Sequence, residues 1–136
     1  MISGTSELQK AVFSVLSGDA TLGGLLGGAR IYDAAPDNAA FPYVTFGRIS
    51  TTDWSTATER GSEHFLTLHC WSRGKGKKQA LAIADAVAAC LDDAALPLDG
   101  HHLVSLSFLG SETAYDDRFL ATRGVVRFRA VTEPVE

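Results

Sequence analysis

The sequence has few of the residues that cross-link a chain or ligate metals. Its 136 residues include two cysteines, one methionine and two tryptophans. Cys70 lies in a strand-like pattern and Cys90 in a helical one, and neither belongs to a CxxC pair. Disulfide frameworks and zinc sites need several cysteines at short, repeated spacings. We therefore expect two buried free thiols and no metal held by sulfur.

Positive charge is also scarce. Lysine and arginine total 12 against 16 aspartate and glutamate residues, which gives a net charge of −4. A protein that grips nucleic-acid phosphates usually presents a concentrated basic face. The only basic cluster here is the short RGKGKK segment at residues 73–78. The charge balance therefore argues against a protein built to hold phosphates.

Long apolar runs are absent as well. No stretch approaches the ~20 consecutive apolar residues of a membrane-spanning helix. The N-terminal MISGTSELQK lacks the basic region and apolar core of a secretory signal. We expect a cytoplasmic protein that makes no contact with a membrane.

Motifs for metals and nucleotides are missing. The histidines at positions 64, 69, 101 and 102 match neither HExxH nor a Cys/His zinc spacing. The RGKGKK segment superficially matches a phosphate loop, but Trp71 stands where that loop has its first glycine. Lys78 also replaces the Ser or Thr whose hydroxyl binds magnesium. We predict neither a metal site nor a cofactor.

Nucleophile and acid–base motifs are missing too. No GxSxG surrounds a serine, and neither cysteine has a recognisable nucleophile context. The acidic pairs Asp92-Asp93 and Asp116-Asp117 are chain neighbours, which rarely face each other as a carboxylate dyad must. We predict that the protein is not an enzyme and has no catalytic residue.

What the chain does contain is enough apolar residue for one packed core. Hydrophobic residues make up 46% of it and charged residues 21%, as in ordinary globular domains. Domains most often run to roughly 100–150 residues, and a chain of this size buries about two-thirds of its unfolded surface. We expect a single domain over residues 1–136.

Two segments have a strong helical pattern. The first covers residues 5–17, with Ser6 and Gln9 as a capping box and apolar residues recurring on one face. Asp19 is expected to cap one further turn, Ala20–Leu26. The second main helix covers residues 77–92, with a core stripe and a far side rich in alanine. That far side indicates either a hidden partner or simply the high helix propensity of alanine.

Four segments alternate as strands do. They cover residues 41–50, 63–72, 103–113 and 123–133, while ARIYD near residue 31 is a short extended piece. The strand at 63–72 has apolar groups on both sides, which predicts that both of its faces are covered. Asp99-Gly100 marks a hairpin turn. The predicted order is α-β-β-α-β-β: a mostly antiparallel sheet with two main helices packed on it, of the α+β class.

Two polar connectors join these strands, at residues 51–62 and 115–122. Trp54 in the first connector is either exposed, as interface anchors often are, or folded back as a lid on the sheet. On the last strand Arg127 and Arg129 share one face. A cross-strand ion pair, such as Arg127 with Glu112, is a better use for them than phosphate binding.

The order and spacing of several segments resemble a known family. RIYDAAP, FPYVTFG, DWSTATERGSEHFLTLHCWSR, LPLDGHHLVSLSF and RGVVRFRAVTEP together look like the tail-terminator (tail-completion) proteins of long-tailed phages. The sequence is most similar to the branch found in prophages and phage-derived gene transfer agents. The resemblance runs over residues 6–134.

The resemblance implies a structural protein of a virion. Such proteins assemble as a homohexameric ring on the finished tail tube, end polymerisation of the tube protein and present a surface to the head-side connector or stopper protein. DNA would meet this ring only in transit through its lumen. The family has no catalytic residue or cofactor to carry over. The expected location is the bacterial host cytoplasm during assembly, and then the head–tail junction of a virion or phage-like particle.

The partner contacts are expected from the two connectors and from the alanine-rich side of the second main helix. As a hypothesis, both connectors project from the sheet and become ordered only on docking. The predicted contact residues are Asp53, Trp54, Thr56, Glu59, Arg60, Ala82, Ala86, Ala89, Tyr115, Asp116, Asp117 and Arg118.

Two other functions stay open at this point. A small nucleic-acid- or nucleotide-binding domain of the ferredoxin-like kind has a similar β-β-α-β-β order and would bind DNA or RNA in a salt-dependent way. A neck or head-completion protein of the same particle would differ only in the step at which assembly stops without it.

Overall fold

The computed structural model describes residues 4–135, which form three helices and five strands. The helices are α1 (Thr5–Ser17), α2 (Ala20–Leu26) and α3 (Lys78–Leu91). The strands are β1 (Ile31–Tyr32), β2 (Tyr43–Asp53), β3 (Ser62–Arg73), β4 (His101–Asp116) and β5 (Ala121–Pro134). The predicted α+β class is confirmed. The two elements beyond the predicted order, α2 and β1, are the capped turn and the ARIYD piece.

The strands form one sheet in the order β1-β2-β3-β5-β4. The short β1 pairs in parallel with the start of β2, and the four long strands pair antiparallel. β4 is interrupted by irregularities between Leu103 and Ser105 and again between Phe108 and Gly110. Gly100, at φ +74°, closes the predicted Asp-Gly turn, where Leu98 bridges His101 just before β4 begins.

The core lies between the sheet and the helices, on one face of the sheet only. Along β3 the side chains that point to the helices are buried, whereas Phe65 on the other face is 39% exposed. The prediction that both faces of this strand are covered is therefore wrong. The apolar residues on its second face made it look two-sided. They lie instead on an open face, where Trp71 is the only one of the β3 residues that is buried.

The helices begin and end close to the predicted residues. α1 starts at Thr5 after Gly4, and its first turn has no side-chain cap, so the predicted Ser6–Gln9 capping box is wrong. Ser6 lies inside the helix, and the Gln9 amide donates instead to Asp33 Oδ1 at 3.0 Å. The Asp19 cap is confirmed, because its carboxylate accepts the Leu22 N–H at 2.9 Å.

The two hairpins are longer than predicted, and their connecting turns are shorter. β2 continues through Asp53 and β3 starts at Ser62, which leaves residues 54–61 as the β2–β3 turn. β4 continues through Asp116 and β5 starts at Ala121, which leaves residues 117–120 as the β4–β5 turn. Pairing with the partner strand extends β2 to Asp53 and β4 to Asp116, although aspartate itself is depleted in strands.

No helix within residues 4–135 is both long and apolar enough to cross a membrane.

Candidate assembly surfaces

The two turns lie at opposite ends of the sheet. Ser62, which follows the β2–β3 turn, pairs with Thr132 near the end of β5. Ala121, which follows the β4–β5 turn, pairs with Arg73 at the other end of β3. The predicted contact residues of the connectors therefore form two separate groups, with the length of the sheet between them.

The β2–β3 turn has its own hydrogen-bond network. The Trp54 N–H donates to Gly61 O at 2.9 Å, and the Thr56 N–H donates to Glu59 O at 2.8 Å. The Thr56 hydroxyl accepts the Glu59 N–H at 3.0 Å, and Asp53 Oδ1 accepts from the Ser55 hydroxyl at 2.7 Å. Residues 50–60 are all exposed. The turn thus presents a bonded but uncovered surface that includes Arg60.

Trp54 combines the two alternatives that the sequence left open. The guanidinium carbon of Arg129 lies 5.5 Å from the centre of its ring, so part of the ring rests against the sheet. Arg129 is held in place by Glu63, with Nε donating to Oε2 at 2.6 Å. Even so, 51% of Trp54 is exposed. An oriented aromatic side chain with half its surface uncovered is a suitable anchor for a partner protein.

The β4–β5 turn is organised by one carboxylate. Asp116 Oδ1 accepts the Arg118 N–H at 3.0 Å, and Oδ2 accepts from the Arg118 guanidinium at 3.2 Å. Arg123 approaches the same carboxylate at 3.6 Å. The hydrogen bond from the Arg118 side chain holds the pKa of Asp116 below its ordinary value. The Asp117 and Arg118 side chains are exposed, and Tyr115 is half-buried.

The sequence analysis missed the two apolar residues of this turn. Phe119 is 54% exposed and Leu120 is 69% exposed. Leu120 also has a φ of +51°, in the left-handed region that a branched residue seldom adopts. Phe119 contacts Trp71 edge-on, with ring centres 5.2 Å apart. Two large apolar residues after an Asp-Asp-Arg turn were the sequence signal for an exposed apolar tip.

That ring contact belongs to an aromatic cleft on the open face of the sheet. Phe41, Tyr43, Trp71 and Phe119 line this cleft of about 350 Å³, together with residues of the 33–39 segment. The cleft adjoins the base of the β4–β5 turn, so the turn rests against the sheet through aromatic contacts.

The rest of the open face carries paired charges. Arg127 donates to Glu112 at 3.0 Å, so the predicted cross-strand pair is confirmed. Arg129 pairs with Glu63, and Arg123 lies over the Trp71 ring and near Asp116. Each of the three arginines of β5 therefore has a carboxylate within 4 Å. The arginines of β5 therefore offer little free positive charge for a phosphate backbone.

The alanine-rich side of α3 is less open than predicted. Ala82 is half-buried, and Ala86 packs against the hydrophobic core. Ala89 is exposed, and so is Leu81, at 48%. The smaller α2 lies next to α3 and is in contact with it. The exposed stripe of α3 therefore runs through Leu81, Asp85 and Ala89.

The histidines and cysteines have structural surroundings. His64 is fully buried, with Nδ1 2.9 Å from the Thr51 hydroxyl and Nε2 2.8 Å from the Thr132 hydroxyl. Burial, with a smaller effect of His101, lowers the pKa of His64. Burial raises the pKa of the Cys70 thiol to about 12, whereas Cys90 is only half-buried. Within residues 4–135 no cluster of three or more His, Cys, Asp or Glu side chains is arranged to hold a metal.

Two of three comparisons with known proteins find a match. The family model described as tail completion protein gp17 matches residues 10–133. The fold is also similar to a chain in a solved structure of the virion of a native gene transfer agent particle, with a TM-score of 0.88. The two chains are 31% identical, and the alignment covers 98% of this chain and 99% of that one. A search of curated protein sequences finds no match.

Proposed function

This chain belongs to the tail completion protein gp17 family, and we propose that it caps the tail tube of a phage-like particle as a homohexameric ring. Tail completion is a structural role, and the similar chain is part of a gene transfer agent virion. In the proposed role the ring stops polymerisation of the tube protein and joins the tube to the head-side connector. The protein acts by shape complementarity and needs no catalytic group.

The observation that carries this proposal is the separation of the two turns. A cap between a tube and a connector must present two different docking surfaces that face in opposite directions. The β2–β3 turn and the β4–β5 turn stand at opposite ends of one rigid sheet, and both are exposed. One turn from each copy would meet the tube, and the other would meet the connector.

The predicted contact residues fit this arrangement as two groups. At one end, Trp54 is the anchor, and polar residues of the same hairpin surround it: Asp53, Thr56, Glu59 and Arg60. At the other end, Phe119 and Leu120 supply apolar surface next to the polar groups Tyr115, Asp116, Asp117 and Arg118. An apolar centre with a polar rim is the usual composition of a protein interface.

Neighbouring copies in the ring must also contact each other. A ring closes when one surface of each copy binds a different surface of the next, by a heterologous interface. The exposed positions of α3, Leu81 and Ala89, with the partly covered Ala82 and Ala86, remain candidates for such lateral contacts. The proposed unit of assembly is the single domain 1–136.

The paired charges of the open face bear on the passage of DNA. If this face lines the lumen, the arginines of β5 are neutralised by Glu63, Glu112 and Asp116. DNA would then pass without being held by counterion release from its phosphates. The same pairing disfavours the alternative in which the domain is a nucleic-acid binder.

Growth of tail tubes in vitro tests the capping function. Purified tube protein is polymerised with increasing amounts of this protein, and tube lengths are measured by negative-stain electron microscopy. Capping predicts shorter tubes with a six-fold ring at one end only. Tubes of unchanged length with bare ends, at a molar excess of the protein, would refute the proposal.

A further inference from the structure

We infer that neighbouring copies join edge to edge through their sheets, with β2 of one copy pairing antiparallel with β4 of the next. This inference rests on the proposed ring and names the surface that closes it. It starts from the two ends of the strand order, β1-β2-β3-β5-β4. β1 has only two residues and pairs with Val44 and Thr45, so the remainder of β2 is an edge of the sheet.

The opposite edge, β4, is covered along only part of its length. The Phe108 N–H donates to Asp92 Oδ1 at 2.9 Å, and Leu106 O accepts from the Asp93 N–H at 2.8 Å. The segment after α3 therefore covers the middle of β4. From Gly110 to Asp116 the strand pairs with β5 on one side, and the sheet ends on its other side. Natural proteins usually shorten, charge or cover such edges, because an open edge recruits another strand.

The register shows which backbone groups point outward on each edge. Hydrogen-bonded and non-bonded pairs alternate along an antiparallel ladder. The bond from Trp54 N–H to Gly61 O therefore assigns the outward positions of β2 to Ile49, Thr51 and Asp53. Carrying the same alternation across β3 and β5 assigns the outward positions of β4 beyond its second irregularity to Ser111, Thr113 and Tyr115. Both sets project their side chains toward the helix face.

The four long strands also alternate in direction. In a rotational ring every copy has the same orientation, so β2 of one copy runs opposite to β4 of its neighbour, as an antiparallel ladder requires. Because both outward sets share the helix face, pairing them keeps the helices of every copy on the same side of the sheet. An odd number of long strands would satisfy neither condition.

The geometry of closure supports this pairing. The two open stretches are offset: Thr51 shares a row with Ala130 of β5, and Thr113 shares a row with Gly124. The offset is six residues along β5, or roughly 20 Å at ~3.3 Å per residue. The four strands, spaced ~4.8 Å apart, span a similar width of about 19 Å. A ring without a rise would then need strands tilted by about 45°, close to the ~35–45° of closed barrels.

Charge is consistent with the same register. When Thr51 lies opposite Thr113, Ile49 comes opposite Tyr115. Arg48, at the irregularity of β2 between Phe46 and Ile49, then lies near Asp116 of the next copy. Arg48 is exposed and makes no ion pair within residues 4–135. The facing end of β4 carries Glu112 and Asp116, and Asp117 follows in the β4–β5 turn.

Disulfide trapping tests the pairing. Asp53 and Ser111 lie opposite each other in this register, and both are exposed. Facing hydrogen-bonded residues have Cα atoms ~5.5 Å apart, inside the ~4.4–6.8 Å range of disulfides. The variant D53C/S111C is made with C90A, while Cys70 is fully buried and stays. Oxidised rings should give a ladder of linked copies on non-reducing gels. The linked fraction should be more than ten-fold higher than for the control D53C/S107C, in which the backbone of residue 107 faces β5 and not the neighbouring copy.

A backbone test is independent of thiol chemistry. Thr113→Pro removes an outward N–H, which an edge strand tolerates, so the monomer should fold while ring formation drops at least ten-fold. Glu112→Pro removes an inward N–H of the β4–β5 ladder and should unfold the protein. If rings of the expected mass form but D53C/S111C is linked no better than its control, the strand pairing is wrong and the proposed ring still holds. If the wild-type chain is monomeric both in solution and on tube ends, the strand pairing and the proposed ring are both wrong. If the cysteine variant is linked to the tube protein instead, the tube protein and not a second copy binds this edge.

Discussion

Replacing Trp54 by alanine separates docking from folding. A fully buried tryptophan covers roughly 150–250 Å², and Trp54 is 51% exposed. Roughly 100 Å² is therefore covered in the isolated chain, and a similar area remains for a partner. At ~25 cal/mol per Å² each half corresponds to about 2.5 kcal/mol. For folding this figure is an upper value, because the unfolded chain already covers part of the ring.

The expected result is a folded protein that docks poorly. Trp54→Ala should lower the free energy of unfolding by about 1–2 kcal/mol, including the contact with Arg129. Docking at the β2–β3 turn should weaken by about 2.5 kcal/mol per copy, or roughly 60-fold. Urea unfolding measures the first effect, and the protein concentration needed to halve tube length measures the second.

A matched control comes from α1. Phe13 is a large aromatic residue of α1 with 43% exposure, and it belongs to neither turn. Phe13→Ala should have a comparable effect on stability and little effect on tube length. If the two variants cap tubes equally well, Trp54 is not an anchor, and the assignment of the β2–β3 turn as a docking surface is wrong.

Three further predictions concern the pH response, the open face and the turns. Because burial lowers the pKa of His64, the unfolded chain binds a proton below pH ~6.5 that the folded chain does not. The free energy of unfolding, measured by urea titration, should therefore fall from pH 7.5 to 5.5. His64→Gln should reduce this fall and should lower the stability at pH 7.5. Rings of the double variant Glu63→Gln, Glu112→Gln should retain duplex DNA, whereas wild-type rings retain none. The salt dependence of this binding should correspond to about one phosphate contact per arginine that has lost its carboxylate. Equal retention would show that this face does not line the lumen. In hydrogen exchange, residues 55–60 and 117–120 should gain protection on docking, while Thr52, opposite Glu63 in the β2–β3 ladder, is already protected in the free protein; unchanged protection of both turns would remove them from the interface.

The sequence predicted the elements whose pattern is set by residues close to one another along the chain. The stripe of α1, the stripe of α3 and the Asp19 cap are local features, and the structure confirms each of them. The Arg127–Glu112 pair was also predictable, because alternation fixes the face of a strand and opposite charges on neighbouring strands pair.

Features set by tertiary pairing were not predictable in the same way. Asp53 and Asp116 are strand residues because β3 and β5 pair with them, not because of their own propensity. The open face of β3 carries Phe65 and Trp71, whose apolar character looked like two-sided burial, and only the placement of all helices on one face corrects this. The helix start at Thr5 depends on Gly4, which no capping pattern marks. The opposite positions of the two turns follow from the strand order and are invisible in the sequence.

Tail length in particles made without this protein tests the capping function most directly. The gene is deleted from the producing strain, and tails are measured by electron microscopy, with wild-type and complemented strains alongside. Loss of the cap should give tubes that are overlong and variable in length, without attached heads, and complementation should restore uniform length. Tails of normal, uniform length would contradict capping: if they carried heads, the protein would be dispensable for tail completion, and if they lacked heads, it would act only at the neck.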